Sequence, residues 1–136
     1  MKKFFSTRYS EFAFNLSIFL IRLGFGGFLF LNHGLLKLNR FSELKNSFSD
    51  PFHVGHTTSL VLALFAEVFC SLLLVLGLLT RLASFVLVIL FLTIIFIIQK
   101  HKPLENSELA ILYLMASFTT LFCGPGKWSL DRLIGK

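Results

Sequence analysis

Two charged residues stand inside otherwise apolar runs. Arg22 lies in FAFNLSIFLIRLGFGGFLFLNHGLL, residues 12–36, and Glu67 in TSLVLALFAEVFCSLLLVLGLL, residues 58–79. A charge at the centre of a hydrocarbon core costs at least ~2.5 kcal/mol, so each needs a partner, and intramembrane charges are functional candidates by default. If the first run enters from one face at Phe12, Arg22 lies ~15 Å deep; if the second enters from the opposite face at Thr58, Glu67 lies ~13 to 14 Å deep. In a core of roughly 30 Å these depths coincide, and the spacing predicts that Arg22 and Glu67 are direct partners. Two chemistries are open to such a pair. It can fix which helix packs on which, or it can form a buried polar site for a quinone head group or a proton path.

His33, Asn32 and Lys37 follow near the far end of the same run, and Glu105 and Glu108 open a later apolar segment at that same surface. A histidine and a carboxylate at an interfacial pocket are what quinol oxidation needs, to take protons from the ring and pass them on. The plainer reading is a snorkelling lysine, an interface histidine and acids favouring a helix start. At ~100° per residue, Asn15, Arg22, Gly26 and His33 share one stripe, with Lys37 at its edge. Gly26 is expected to leave room there for a cavity shared with Ser71 on the second helix and Glu108, Met115 and Thr119 on the fourth. The candidate ligand-binding residues are therefore Arg22, His33, Glu67 and Glu108. A histidine pair, His53 and His56, could meet His33 around a metal. No acidic or thiolate partner stands at ligand spacing, and loop histidines are the default, so no metal site is assigned. Cys70 and Cys123 sit at depths differing by ~10 Å or more, beyond disulfide reach, which excludes a thiol relay.

The elements that must hold these residues are apolar helices. The chain has 136 residues, 55% of them hydrophobic, with 18 Phe and mean hydropathy +0.79. Near-continuous apolar runs at that density define an integral membrane protein, a single domain over 1–136. Helices are predicted at about 12–36, 58–79, 82–98 and 105–123, forming an all-α bundle of four transmembrane helices. The third is apolar all round and rich in β-branched residues, so lipid is its expected surroundings. Arg81 and Asp131 are expected to meet in a salt bridge that ties the C-terminal segment across the bundle, and Lys37 is expected to be structural.

The net charge of +6 does not point to nucleic acid, because the basic residues flank the apolar runs as topology and head-group signals. With four spans, Lys2, Lys3, Arg8, Arg81, Lys127, Arg132 and Lys136 share one side, and Lys37, Arg40, Lys45, Lys100 and Lys102 the other. Seven against five places both termini in the cytoplasm. The first run is too long for a signal peptide and has no small-residue cleavage site after it.

Four separated motifs then occur in order: RLGFGGFLFLNHGLLKL at residues 22–38, the intramembrane Glu67, GLLTR at 77–81 and GPGKWSLD at 124–131. Together they resemble the DoxX family of small bacterial membrane proteins. The resemblance implies a four-helix protein of the bacterial inner membrane, related to the DoxD subunit of archaeal thiosulfate:quinone oxidoreductase. It also implies membership of a redox complex, with electrons exchanged with a soluble partner protein. The chain carries no flavin, haem or iron–sulfur motif, so it has no intrinsic cofactor, and a quinone would be diffusible. The alternative is a non-enzymatic assembly or transport component whose intramembrane charges are structural. Self-association into a homo-oligomer is left open.

Overall fold

The computed structural model describes residues 7, 8, 10–48, 50, 52–98 and 104–135. Lys2, Lys3, Pro51, the segment 99–103 with His101, and Lys136 lie outside them, as does the side chain of Glu105. The described residues are all helical or loop, with no strand. Three helices are long and apolar enough to cross a membrane: α1 (Glu11–Asn39), α3 (His56–Leu76) and α4 (Thr80–Ile98). A short α2 (Phe41–Leu44) sits in the connection after α1; α5 (Leu104–Cys123) is a further apolar helix, and α6 (Leu130–Ile134) closes the chain. At ~1.5 Å per residue, the 29 residues of α1 reach about 43 Å, longer than a hydrocarbon core, so α1 tilts or projects.

Local chemistry sets the ends. Ser10 caps α1, its hydroxyl accepting from Ala13 N at 3.0 Å. Gly77 ends α3 in the left-handed conformation (φ 74°), with Gly77 N donating to Leu74 O and Leu78 N to Leu73 O, the Schellman pattern. Leu79 is also left-handed (φ 48°), so three residues reverse the chain into α4. That reversal begins earlier than the Thr80–Arg81 link expected from sequence.

The C-terminal segment locks this hairpin. Asp131 accepts from Leu79 N (2.8 Å) and Thr80 N (2.9 Å), satisfying donors that the start of α4 would otherwise leave unpaired, while Asp131 N donates to Gly77 O at 2.9 Å. The expected Arg81–Asp131 salt bridge is replaced by this cap. Two backbone donors at a buried helix start hold a carboxylate with fixed geometry, while Arg81 lies exposed against Gly124.

Packing corrects the expectation for α4. Thr80, Ala83, Ser84, Leu87, Val88 and Phe91 are buried at spacings of three and four, a stripe facing the bundle, chiefly α5. Small residues let the two helices approach, and the hydroxyls of Ser84 and Thr120, both fully buried, hydrogen-bond across the contact at 2.6 Å. Composition alone hides such a stripe, because its two hydroxyl residues are short and the rest of the helix is equally greasy.

Candidate functional site

Arg22 is 1% exposed, yet it does not reach Glu67. Its guanidinium donates to four backbone carbonyls instead: Nε to Leu74 (3.0 Å), Nη2 to Val75 (3.2 Å), and Nη1 to Pro125 and Trp128 (both 2.8 Å). The first two belong to the last turn of α3, where orphan carbonyls and the negative end of the helix dipole favour a cation. The other two belong to the C-terminal segment. Arg22 therefore rivets α1, the end of α3 and the chain terminus together. Gly77 is part of the seat, since a Cβ there would lie 2.5 Å from Arg22 Nη2.

The expected Arg22–Glu67 pair fails because the antiparallel register differs from the depth estimate. Gly26 lies against Ser71 and Val75, and Gly34 against Glu67 and Val68. Arg22 is thus level with the end of α3, and Glu67 with Gly34. Gly26 leaves no cavity either. A Cβ there would stand 2.8 Å from Val75 Cγ2 and 2.9 Å from Ser71 O, so the missing side chain serves helix contact.

The partner of Glu67 is Lys37, with Nζ 2.6 Å from Oε1. One turn separates Lys37 from Gly34, whose closeness to the Glu67 backbone brings the lysine over the carboxylate. Both helices widen here: residues Phe30–Gly34 of α1 and Phe65–Cys70 of α3 form π-helical turns, and Ile94–Ile98 of α4 forms a third. Such turns are rare and concentrate at functional sites. Glu67 is 2% exposed, and its Oε2 has no hydrogen-bond partner among the described residues. Ser71, one turn further along α3, donates to the carbonyls of Glu67 and Val68 instead.

Glu67 and Lys37 line a cavity of about 580 Å³ among α1, α3, α4, α5 and the connection before α3. Its walls are mainly apolar, and all three π turns contribute to them. His33 lies in the wall, its ring edge-on to Tyr113 with centroids 5.6 Å apart. Phe48 and Phe52 close the end near Lys37, whose ammonium stands 5.6 Å from the Phe48 ring centroid. Asp50 pins this connection to α3, accepting from Gly55 N (2.8 Å), Val54 N and the Ser59 hydroxyl (both 2.9 Å). Burial raises the Asp50 pKa, but those hydrogen bonds, with nearby His56, outweigh it and hold the carboxyl below its ordinary value.

Of the four candidate ligand-binding residues, the fold brings His33 and Glu67 to the cavity. Arg22 stands at the other end of α3. Glu108 is exposed, while its neighbours Leu109 and Ala110 line the wall, because α5 turns the 109–110–113 face inward. Met115 is likewise exposed. His53 is on an exposed turn, and His56 Nδ1 contacts Phe48 O. Among the described residues, no three histidines, cysteines or acids cluster for a metal. Cys70 is buried in the core, and Cys123 is exposed at the end of α5. Lys37 and Tyr113 gain importance that spacing does not reveal: Lys37 needs the register of α1 on α3, and Tyr113 needs the face of α5.

An all-helical membrane protein, with a buried carboxylate and lysine on an apolar cavity, is the class that this fold and site define. The chain belongs to the DoxX family, whose model matches residues 17–100, more than half its length. The match takes in His33, Lys37 and Glu67 and stops short of Tyr113 and the C-terminal clasp. Comparison with curated proteins and with solved structures gives no match.

Proposed function

We propose that this DoxX-family chain is a quinone-linked subunit of the bacterial inner membrane, exchanging electrons with a soluble redox partner. In this reading α5 is the fourth span and both termini are cytoplasmic, as the excess of Lys and Arg on that side favours. The observation that carries the reading is Glu67: a carboxylate 2% exposed, half satisfied, on an apolar cavity of about 580 Å³. That volume falls within the range of small-ligand sites, and apolar walls with a few convergent polar groups are their usual character. A lipophilic ring would reach the cavity from the bilayer past Leu62, Phe65, Ile89 and Leu109, each about half exposed and each part of the wall. Lys37, His33 and Tyr113 would meet its oxygens.

The test is extraction of the full chain, purified in mild detergent, with organic solvent. Absorbance should show a quinone near one per chain in the parent and much less in Ala66→Leu, which fills the wall. Absence of quinone from the parent would favour the alternative, an assembly or transport component with structural charges. The carbonyl seat of Arg22, a charge in an apolar run held by backbone oxygens, supports that alternative. Reporter fusions after Lys136 and within residues 40–49 should report the cytoplasm and the opposite side respectively.

A further inference from the structure

We infer that a cleft between the start of α1 and the C-terminal segment holds the phosphate of an anionic phospholipid, with Arg132 as its main contact. The cleft, of about 380 Å³, shares no lining residue with the apolar cavity, so the inference stands whatever that cavity binds. Glu11, Asn15, Cys123, Gly126, Lys127 and Arg132 are among the residues that line it. Two cations against one carboxylate leave a positive charge in excess. The carboxylate is already engaged, with Glu11 Oε2 2.7 Å from Lys127 Nζ. Arg132 is exposed, and its guanidinium makes no hydrogen bond or ion pair among the described residues. Its planar fork of N–H donors matches two oxygens of a phosphate at once.

The backbone that carries these cations is fixed before any ligand arrives. Lys127 N donates to Oδ1 of the buried Asn15 at 2.9 Å, and Asn15 Nδ2 donates to Glu11 O at 2.7 Å. Asp131 holds α6 on the start of α4, and the Ser129 hydroxyl accepts from Arg132 N at 3.3 Å. The cleft is level with lipid head groups. Arg22 stands at the end of α3, and Asn15 lies ~10 Å further out along α1. Trp128, next in sequence to Lys127, packs edge-on against Phe12 and Phe19, each centroid 5.7 Å away, and tryptophan favours the membrane surface. Beside Arg132, Leu133 is 81% exposed and Ile134 58%. A cation flanked by bare apolar side chains suits a ligand with both an anion and acyl chains, which selects a phospholipid over a soluble phosphate.

Trp128 is the single tryptophan of the chain, so its fluorescence reports on this site alone. The full chain in detergent micelles is titrated with phosphatidylglycerol or phosphatidylcholine bearing the same brominated acyl chains, whose bromines quench a nearby indole. Half-quenching should need about fivefold less of the anionic lipid than of the zwitterionic one. Arg132→Gln should abolish that preference, and an exposed side chain without a partner leaves the fold intact when replaced. Glu11→Gln frees Lys127 for the phosphate and should enlarge the preference. The two variants thus move in opposite directions, which a general loosening of the fold would not produce. Equal quenching by the two lipids in the parent, or an unchanged preference in Arg132→Gln, would overturn the inference. A preference erased by inorganic phosphate, but not by sodium chloride of equal ionic strength, would replace the lipid by a soluble phosphate.

Discussion

Lys37 Nζ and Glu67 Oε1 lie 2.6 Å apart, thirty residues distant in sequence, joining the C-terminal part of α1 to the middle of α3 at the wall of the apolar cavity. The lysine side chain is one-quarter exposed and the carboxylate is almost wholly buried, so the two ends of the pair are unequal. Removing Lys37 strands a buried anion, whereas removing Glu67 leaves a cation that can reach water.

Lys37→Met is accordingly expected to lower stability by about 2 kcal/mol, below the full cost of breaking an enclosed pair because water can still approach the site. Glu67→Leu should cost less. The double variant should recover much of the loss, since two apolar residues leave no charge unpaired. Denaturant titration in detergent micelles, read by near-ultraviolet circular dichroism, measures all three. A double variant no better than Lys37→Met would contradict the asymmetry.

Arg22 tests the carbonyl seat. Arg22→Lys keeps the charge but loses the fork that serves four carbonyls, and a loss of about 2–3 kcal/mol is expected. The C-terminal segment should then become open to protease while α1 and α3 remain protected. The charge swap Arg22→Glu with Glu67→Arg is expected to be worse than either single change, because the two residues have different partners. Rescue by the swap would restore the direct pairing that depth alone suggests.

Asp131→Ala removes the acceptor for Leu79 N and Thr80 N and should cost about 1–2 kcal/mol, the usual range for a lost cap. Asp131→Asn retains one oxygen and should cost less. Hydrogen exchange at residues 79 and 80 reports the effect locally.

The glycines of α1 offer a matched comparison. A Cβ at Gly34 would lie 2.8 Å from Glu67 O, a backbone atom that cannot swing aside, whereas one at Gly27 would meet nothing within 4 Å. Gly34→Ala is expected to force α1 from α3, part Lys37 from Glu67 and cost about 1–3 kcal/mol. Gly27→Ala should be neutral or slightly stabilising, through its better helix propensity. Thermal melts of the two variants side by side decide it.

Asp50 gives the pH dependence. Its folded pKa lies below its ordinary value, so the unfolded chain binds this proton more readily. Its contribution is present above that unfolded value and fades as pH falls through the lower folded one. Acid titration should show the connection before α3 loosening below about pH 4. Asp50→Asn should flatten this part of the profile, read from fluorescence of a probe at His53→Cys in a background lacking Cys70 and Cys123.

Arg22, Glu67 and the length of the apolar runs are legible in the sequence because hydrophobicity and helical period are local properties. They establish the membrane class, the approximate helices and the residues that must find partners. The choice of partner is not local. It depends on the register of α1 against α3, which Gly26 and Gly34 set by admitting the facing helix and which no period along one strand of text contains. The same holds for the two motifs 77–81 and 124–131. Each is visible as a glycine-punctuated break, yet only folding shows Asp131 of one capping the helix that begins in the other. Tyr113 and the cavity belong to the tertiary structure alone, because a void is defined by where three helices widen and five segments fail to meet. The sequence determined which residues could not be left unpaired in a membrane; three-dimensional packing decided which were satisfied by the backbone and which by each other.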